Sequence, residues 1–146
     1  MWQVKQNGEY IELKGTLDEF ADLSLIETFP SPWKLDLSGI SRINSIGSRN
    51  WIHFMLKNKS EVEIHNASIP FMEQVLLISS MVGDDASPDV LKSFHLEYYC
   101  NSCAFEFSAI KNIKSDLQTE PCPKCNNTAK IDDKLADIDK SFPKVS

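Results

Sequence analysis

Four cysteines carry the clearest chemistry in the chain. Cys100 and Cys103 form one Cys-x-x-Cys pair and Cys122 and Cys125 a second, with 18 residues between the pairs. Each pair suits a tight turn that aims two thiolates at a common point. The intervening segment is long enough for a hairpin that returns the second turn to the first, so all four sulfurs can share one ion. The spacing predicts a zinc ribbon, with one Zn2+ held by Cys100, Cys103, Cys122 and Cys125. An all-sulfur tetrahedron leaves no open position for water or substrate, so the ion is expected to brace structure and not to catalyse.

Other uses of the cysteines fit less well. Disulfides belong to oxidising compartments. The chain opens Met1-Trp2-Gln3-Val4-Lys5 without an apolar leader, and no run approaches the roughly 18 apolar residues of a membrane span. A cytoplasmic protein without membrane insertion is therefore expected. A thioredoxin-like redox site would place one such pair beside a βαβ unit, which two matched pairs at ribbon spacing do not resemble.

Ser45 is the second residue with chemistry in reach, because a helix is expected to begin there. A hydroxyl at a helix start lies beside unpaired N–H groups and the positive end of the dipole, so a phosphate of about −1.5 to −2 charge is tolerated. On a contact surface that charge would repel an acidic or apolar partner. The simpler role is a helix cap worth about 1 kcal/mol, and the residues alone leave both open. Asn44-Ser45-Ile46-Gly47 overlaps the end of a hydrolase Gly-x-Ser-x-Gly elbow, but position 43 is Ile. His53, His65 and His95 read as surface or partly buried residues of their elements, so no enzymatic activity is expected.

The 146 residues are 42% hydrophobic and 25% charged, which suits a soluble globular protein of one or two domains. The net charge of −6 lies wholly in residues 1–90, with seven Lys/Arg against thirteen Asp/Glu; the remainder is balanced, eight against eight. Nucleic acid needs clustered Lys and Arg, and a tetrathiolate zinc adds a further net negative charge, so the ribbon reads as a protein-contact or structural module.

The elements that must position these groups follow from periodicity and punctuation. Residues 2–5 and 10–14 read as strands around the Asn7-Gly8 turn signal. Leu17, Phe20, Ala21, Leu23, Ile26 and Phe29 recur at mostly helical spacing and stop at Pro30-Ser31-Pro32, predicting a first helix. Residues 33–37 read as a strand ending at Ser38-Gly39. A second helix is expected from about Ser45 or Gly47 to about Asn58, with Trp51, Ile52, Met55 and Leu56 as its apolar face. Of Trp51 and Phe54 only one is expected to reach the core, leaving the other to mark a partner site. Residues 61–64 form a short strand, and Pro70 opens a third helix that Gly83-Asp84-Asp85 and Ser87-Pro88 end. The order β-β-α-β-α-β-α predicts an α/β fold with helices packed on a sheet containing parallel neighbours.

The C-terminal part is expected to be small and β-rich. Residues 94–99 lead into the first cysteine turn, residues 105–107 return from it, and residues 128–131 leave the second. Fewer than about 40 residues bury too little apolar surface to fold alone, so the metal is needed there. A boundary near residues 84–93 divides the chain into 1–92 and 93–146. Residues 132–146 read either as a short helix through Leu135 and Ile138 or as a tail without fixed structure.

Three stretches, Leu13-Lys14-Gly15-Thr16-Leu17-Asp18, the run from Leu35 to Gly47, and Ile69-Pro70-Phe71-Met72-Glu73-Gln74-Val75-Leu76, resemble the STAS domain of bacterial anti-sigma factor antagonists in order and spacing. They cover most of residues 10–83. The resemblance implies a STAS-like mixed sheet and a regulatory binding module without catalysis of its own. In that family an unmodified antagonist captures an anti-sigma factor that is also an ATP-dependent Ser kinase, and phosphorylation undoes the capture until a phosphatase resets it. Carried over by position, Ser45 is the phosphoacceptor, and Asn44, Ser45, Gly47, Ser48 and Trp51 are the partner contacts. Asn44 stands where the family usually has Asp, and Ser48 where it usually presents an apolar residue. The alternative is a constitutive scaffold: a homodimer partner or small subunit of a larger assembly, as some STAS relatives are with transport ATPases, with the ribbon as docking element.

Overall fold

The computed structural model describes residues 1–58, 60–83 and 89–142. The breaks expected at Asp84-Asp85 and Ser87-Pro88, and Pro143, lie outside the described residues.

Alternating burial builds the first sheet. β1 (Gln3–Asn7) pairs antiparallel with β2 (Tyr10–Leu17), and β2, β3 (Trp33–Ile43) and β4 (Val62–His65) run parallel in the order β1-β2-β3-β4. Ile11, Leu13, Leu35, Leu37, Val62 and Ile64 are buried on the face that receives the helices. Glu12, Lys34, Asp36, Glu63 and His65, the residues between them, are half-exposed on the other. A period of two thus gives one apolar and one wetted face.

β3 does not end at Ser38-Gly39 as expected but continues to Ile43. Its register against β2 slips between Glu12 and Lys14 and again between Gly15 and Thr16, so β3 carries bulged residues that keep it paired. Gly39 permits this because a Cβ there would stand 2.9 Å from the Leu13 carbonyl oxygen.

The first expected helix is not formed. Leu17 closes β2, and the segment beyond it holds only a 3-10 turn, Leu23–Thr28. Two aspartates divert the backbone: Asp18 accepts from the Phe20 N–H at 2.9 Å and Asp22 from the Ser24 N–H at 3.0 Å, local bonds that compete with an α-helix. The apolar spacing was shared among a strand end, a loop and a turn, and Phe20 is 82% exposed.

α1 sits where expected, at Ser45–Asn58; α2 starts where expected but spans only Ile69–Leu77, ending at Ile78 before the expected break at Gly83. Ser68 caps α2 by accepting from the Phe71 N–H at 3.3 Å, and Pro70 lies in its first turn. Trp51 and Phe54 both face the core, correcting the expectation that one would be exposed. They are three residues apart, which on a helix means the same side. Trp51 meets the Phe54 ring at 5.4 Å and the Phe71 ring of α2 edge-on at 5.5 Å, and Ser48 Oγ donates to Gln74 Oε1 at 3.2 Å.

The second sheet has the order β6-β5-β8-β7, antiparallel throughout, from β5 (Phe94–Tyr99), β6 (Glu106–Lys111), β7 (Thr119–Pro121) and β8 (Thr128–Ile131). β6 runs on to Lys111, beyond the short return strand expected at 105–107, and β7 is an added strand. The two sheets share chain. Ile64 N–H donates to Val90 O at 2.7 Å, Lys92 N–H to Ile64 O at 2.8 Å, Ala67 N–H to Ser93 O at 3.1 Å and His95 N–H to Ala67 O at 2.8 Å. Residues 90–95 therefore lie parallel beside β4 as a fifth, irregular strand, and the division at 92/93 falls inside that pairing. Beyond β8, 3-10 turns at Asp133–Leu135 and Ile138–Ser141 bury Leu135 and Ile138, and the Phe142 ring stands 5.6 Å from that of Phe94. Residues 132–142 thus have fixed structure, and one continuous apolar core joins both sheets.

The tightest point of this packing is the start of α1. Gly47 is buried, and a Cβ on it would land on the Leu17 carbonyl at the end of β2. Gly47→Ala should lower unfolding free energy by about 1–3 kcal/mol through overpacking. Ser45→Ala, at an exposed position two residues earlier, should stay within about 0.5 kcal/mol of wild type. Urea denaturation of the two variants checks this, and equal stabilities would contradict it.

Candidate metal centre and the Ser45 corner

The two cysteine turns repeat one hydrogen-bonding pattern. In the first, Cys100 N–H donates to Phe105 O at 2.9 Å and Ala104 N–H to Cys100 O at 2.8 Å. In the second, Cys122 N–H donates to Asn127 O at 2.8 Å and Asn126 N–H to Cys122 O at 2.9 Å. Ala104 (φ 57°) and Asn126 (φ 64°) occupy equivalent places in the left-handed region. Asn tolerates that conformation, whereas Ala bears a strain of about 1–2 kcal/mol there. Strain of this kind persists where the surroundings fix the backbone for another purpose.

That purpose is the convergence of four sulfurs. All lie within 4.8 Å of one another, with Cys100 Sγ 3.5 Å from Cys125 Sγ and Cys103 Sγ 3.7 Å from Cys122 Sγ. A tetrahedron of metal–sulfur bonds near 2.3 Å has edges of about 3.8 Å, so the donor set fits one ion. Separations of 3.5 Å and 3.7 Å are far beyond the roughly 2.05 Å of a disulfide. Cys100 and Cys122 are buried, Cys103 and Cys125 half-exposed. The site sits directly on the scaffold: Cys100 follows the last residue of β5, and Cys122 the last of β7.

The protons on these thiols are held unequally. The Cys103 backbone N–H, directed at the Cys100 sulfur, is the largest influence drawing that thiol down to about 7. Burial pushes the Cys103 thiol up to about 12. Beside the site, Tyr98, Phe107 and Phe105 stack in a row at 5.7 Å and 5.9 Å. Tyr98 donates its hydroxyl to Leu117 O at 2.9 Å, and burial raises its pKa.

The Ser45 corner differs from expectation in its division of labour. Asn44, not Ser45, caps α1: its Oδ1 accepts from the Gly47 N–H at 2.7 Å. The Asn44 amide donates to Glu19 Oε2 at 2.8 Å, and this bond holds the Glu19 carboxyl below its ordinary range. Asn44 therefore uses its polar atoms internally, though it is exposed. The preference of helix starts for Asn as much as Ser was the signal for this cap. Ser45 is the exposed first residue of the helix, and among the described residues its hydroxyl forms no hydrogen bond. Three of the expected partner contacts are packed inside: Gly47 is buried against β2, Ser48 is 2% exposed and bonded to Gln74, and Trp51 is 0% exposed. Helix packing has taken these three residues, leaving Ser45 and Ile46 outward. Arg42 and Arg49, the only arginines of the chain, are exposed three residues before and four after Ser45.

No protein-family model, curated protein or solved structure matches the chain. Among the described residues no helix is long and apolar enough to cross a membrane.

Metal binding should be steeply pH-dependent. The thiolate is the ligand, so an ion entering near neutral pH must expel the proton that burial keeps on Cys103, and below about 7 the one on Cys100 as well. Affinity should rise with pH by roughly tenfold per unit for each proton displaced. Competition titration of zinc against a chromophoric chelator at about pH 6 and pH 8 reads this directly; a constant affinity would contradict thiolate ligation.

Proposed function

We propose that the chain is a non-catalytic, protein-binding regulatory module whose binding is switched by phosphorylation of Ser45 and whose C-terminal sheet is braced by a structural zinc ion. The observation that carries the switch is the free, exposed hydroxyl at the first residue of α1, released from capping by Asn44. A phosphate there would meet the positive end of the helix and Arg49 one turn further on, so α1 keeps its fold while the surface changes sign. The sequence resemblance to STAS antagonists supports this reading. The mixed four-stranded sheet with α1 following its central strand is consistent with it. The partner class it implies is an anti-sigma factor Ser kinase or a comparable regulatory protein.

Zinc is the ion of choice because four soft thiolates in a closed tetrahedron suit it and leave no vacant position. When bound, it supplies a cross-link between the two cysteine turns and no reactive centre.

A second reading, a constitutive scaffold or small subunit of a larger assembly, for example with a transport ATPase, is favoured by β6. That strand lies at the sheet edge, and Ile110 on it is 57% exposed. The two readings separate in one capture experiment from source-cell extract, quantified by mass spectrometry. Ser45→Asp should weaken capture of the partner about tenfold or more, roughly 1.4 kcal/mol, with Ser45→Ala and Ile110→Asp near wild type. Loss in Ile110→Asp with Ser45→Asp unaffected would reject the switch in favour of the scaffold.

A further inference from the structure

Residues 132–142 are attached to the rest of the molecule in a way that makes them dependent on the second cysteine turn. They follow β8, which is held by very short ladders: two residue pairs with β5, Tyr98↔Ile131 and Tyr99↔Lys130, and three with β7. Ladders of that length are marginal in water by themselves. The turn from Cys122 to Asn127 anchors the start of β8; it is closed by backbone hydrogen bonds, and its two sulfurs converge with those of the first turn. At its far side β8 passes directly into the C-terminal segment through Asp132 N–H, which donates to Glu97 O at 2.9 Å.

The segment then lies across the junction of the two sheets. Its two 3-10 turns contact α2. Leu135, Ile138 and Phe142 are buried, and Phe142 covers Phe94, the residue at which the fifth strand of the first sheet becomes β5. Gln118, just before β7, ties it down by donating to Ala136 O at 3.0 Å and to Asp139 Oδ2 at 2.7 Å. Among the described residues the polar anchors named here come from β5 and from Gln118 at the entrance to β7, next to the strands that the cysteine turns follow.

We propose that metal occupancy of the four cysteines decides whether this segment stays docked: it is a strap latched by the metal centre, and emptying the centre releases it from α2 and Phe94. The inference rests on the structural-metal reading above and extends it from the local ribbon to α2. Loss of the ion frees the second turn, β8 loses its anchor, and the strap's three apolar side chains no longer have a fixed origin from which to pack.

Hydrogen exchange of the full chain, zinc-loaded and after chelation, tests this. Chelation should speed exchange about tenfold or more in residues 132–142 and in α2, while β2 and β3 keep their zinc-loaded rates. The double variant Leu135→Asp, Ile138→Asp leaves the thiolates in place. It should retain one zinc per chain, show the fast α2 exchange while loaded, and make chelation add nothing further at α2. Two results overturn the latch: unchanged α2 rates when the ribbon strands accelerate, or equal acceleration of β2 and β3, which would make the ion a global stabiliser. A chain that takes up no metal, by elemental analysis and by the absence of a cobalt–thiolate absorption band, overturns the metal reading and the latch together. Bound metal with a silent α2 overturns the latch alone.

Discussion

A single run of backbone, residues 90–99, is hydrogen-bonded into both sheets. Its first half pairs with β4 and the segment after it, and its second half with β6 and β8. This sharing fixes where the cysteines stand relative to the helices, because Cys100 is the next residue along the same strand. The C-terminal part is too small to bury enough apolar surface alone, and without residues 90–95 the first sheet would lose its fifth strand. The common core spanning Phe94, Leu96 and Tyr98 on one side and α2 on the other is the consequence.

Apolar packing holds most of this arrangement, with one largely shielded ion pair, Lys111–Glu120, between β6 and β7. The ion pairs Lys34–Glu9 (3.3 Å) and Lys57–Glu27 (3.2 Å) lie on the surface, where such pairs contribute about 0–1 kcal/mol. The buried polar groups are instead matched one to one. Trp51 Nε1 donates to Met81 O at 2.8 Å and the Tyr98 hydroxyl to Leu117 O. Among the described residues no buried side-chain polar atom lacks a partner. Truncating either ring would leave a carbonyl unpaired as well as a void, so these residues orient the elements around them as well as filling space.

What the sequence made legible, and what it hid, follows from how far each feature reaches in space. The cysteine spacing is a local geometric requirement and survives translation into structure intact, as do α1, the Pro-marked start of α2, β5 and β8, whose periodicities are long or bounded by Pro, Gly or Cys. The first helix failed because Asp18 and Asp22 compete for backbone donors, an effect that apolar periodicity does not register. The end of β3 was misplaced because Gly39 is conditioned by Leu13 on a neighbouring strand, 26 positions away in sequence. Trp51 and Phe54 were expected not to share the core, but the i, i+3 geometry of a helix puts both on its buried side. The strand β7 has three residues and exists only because β8 pairs with it. Ala104 in the left-handed region left no trace in the sequence, whereas Asn126 in the equivalent place was a readable hint.

The separation of roles at the start of α1 bears on whether Ser45 can serve a switch at all. Had Ser45 been the cap, a phosphate on its oxygen would have removed an acceptor worth about 1 kcal/mol from the helix it sits on, coupling modification to unfolding. With Asn44 Oδ1 occupying that acceptor position at 2.7 Å, the Ser45 oxygen bears no structural duty. Gly47 then pins the same turn to the end of β2, so the corner is rigid on its inner side and chemically free on its outer side. Arg42 and Arg49 are exposed three residues before and four after Ser45, and Glu19, bonded to Asn44, is exposed beside it. A charge added to Ser45 would therefore alter what the corner presents without altering the corner, the condition under which one modification changes binding and not folding.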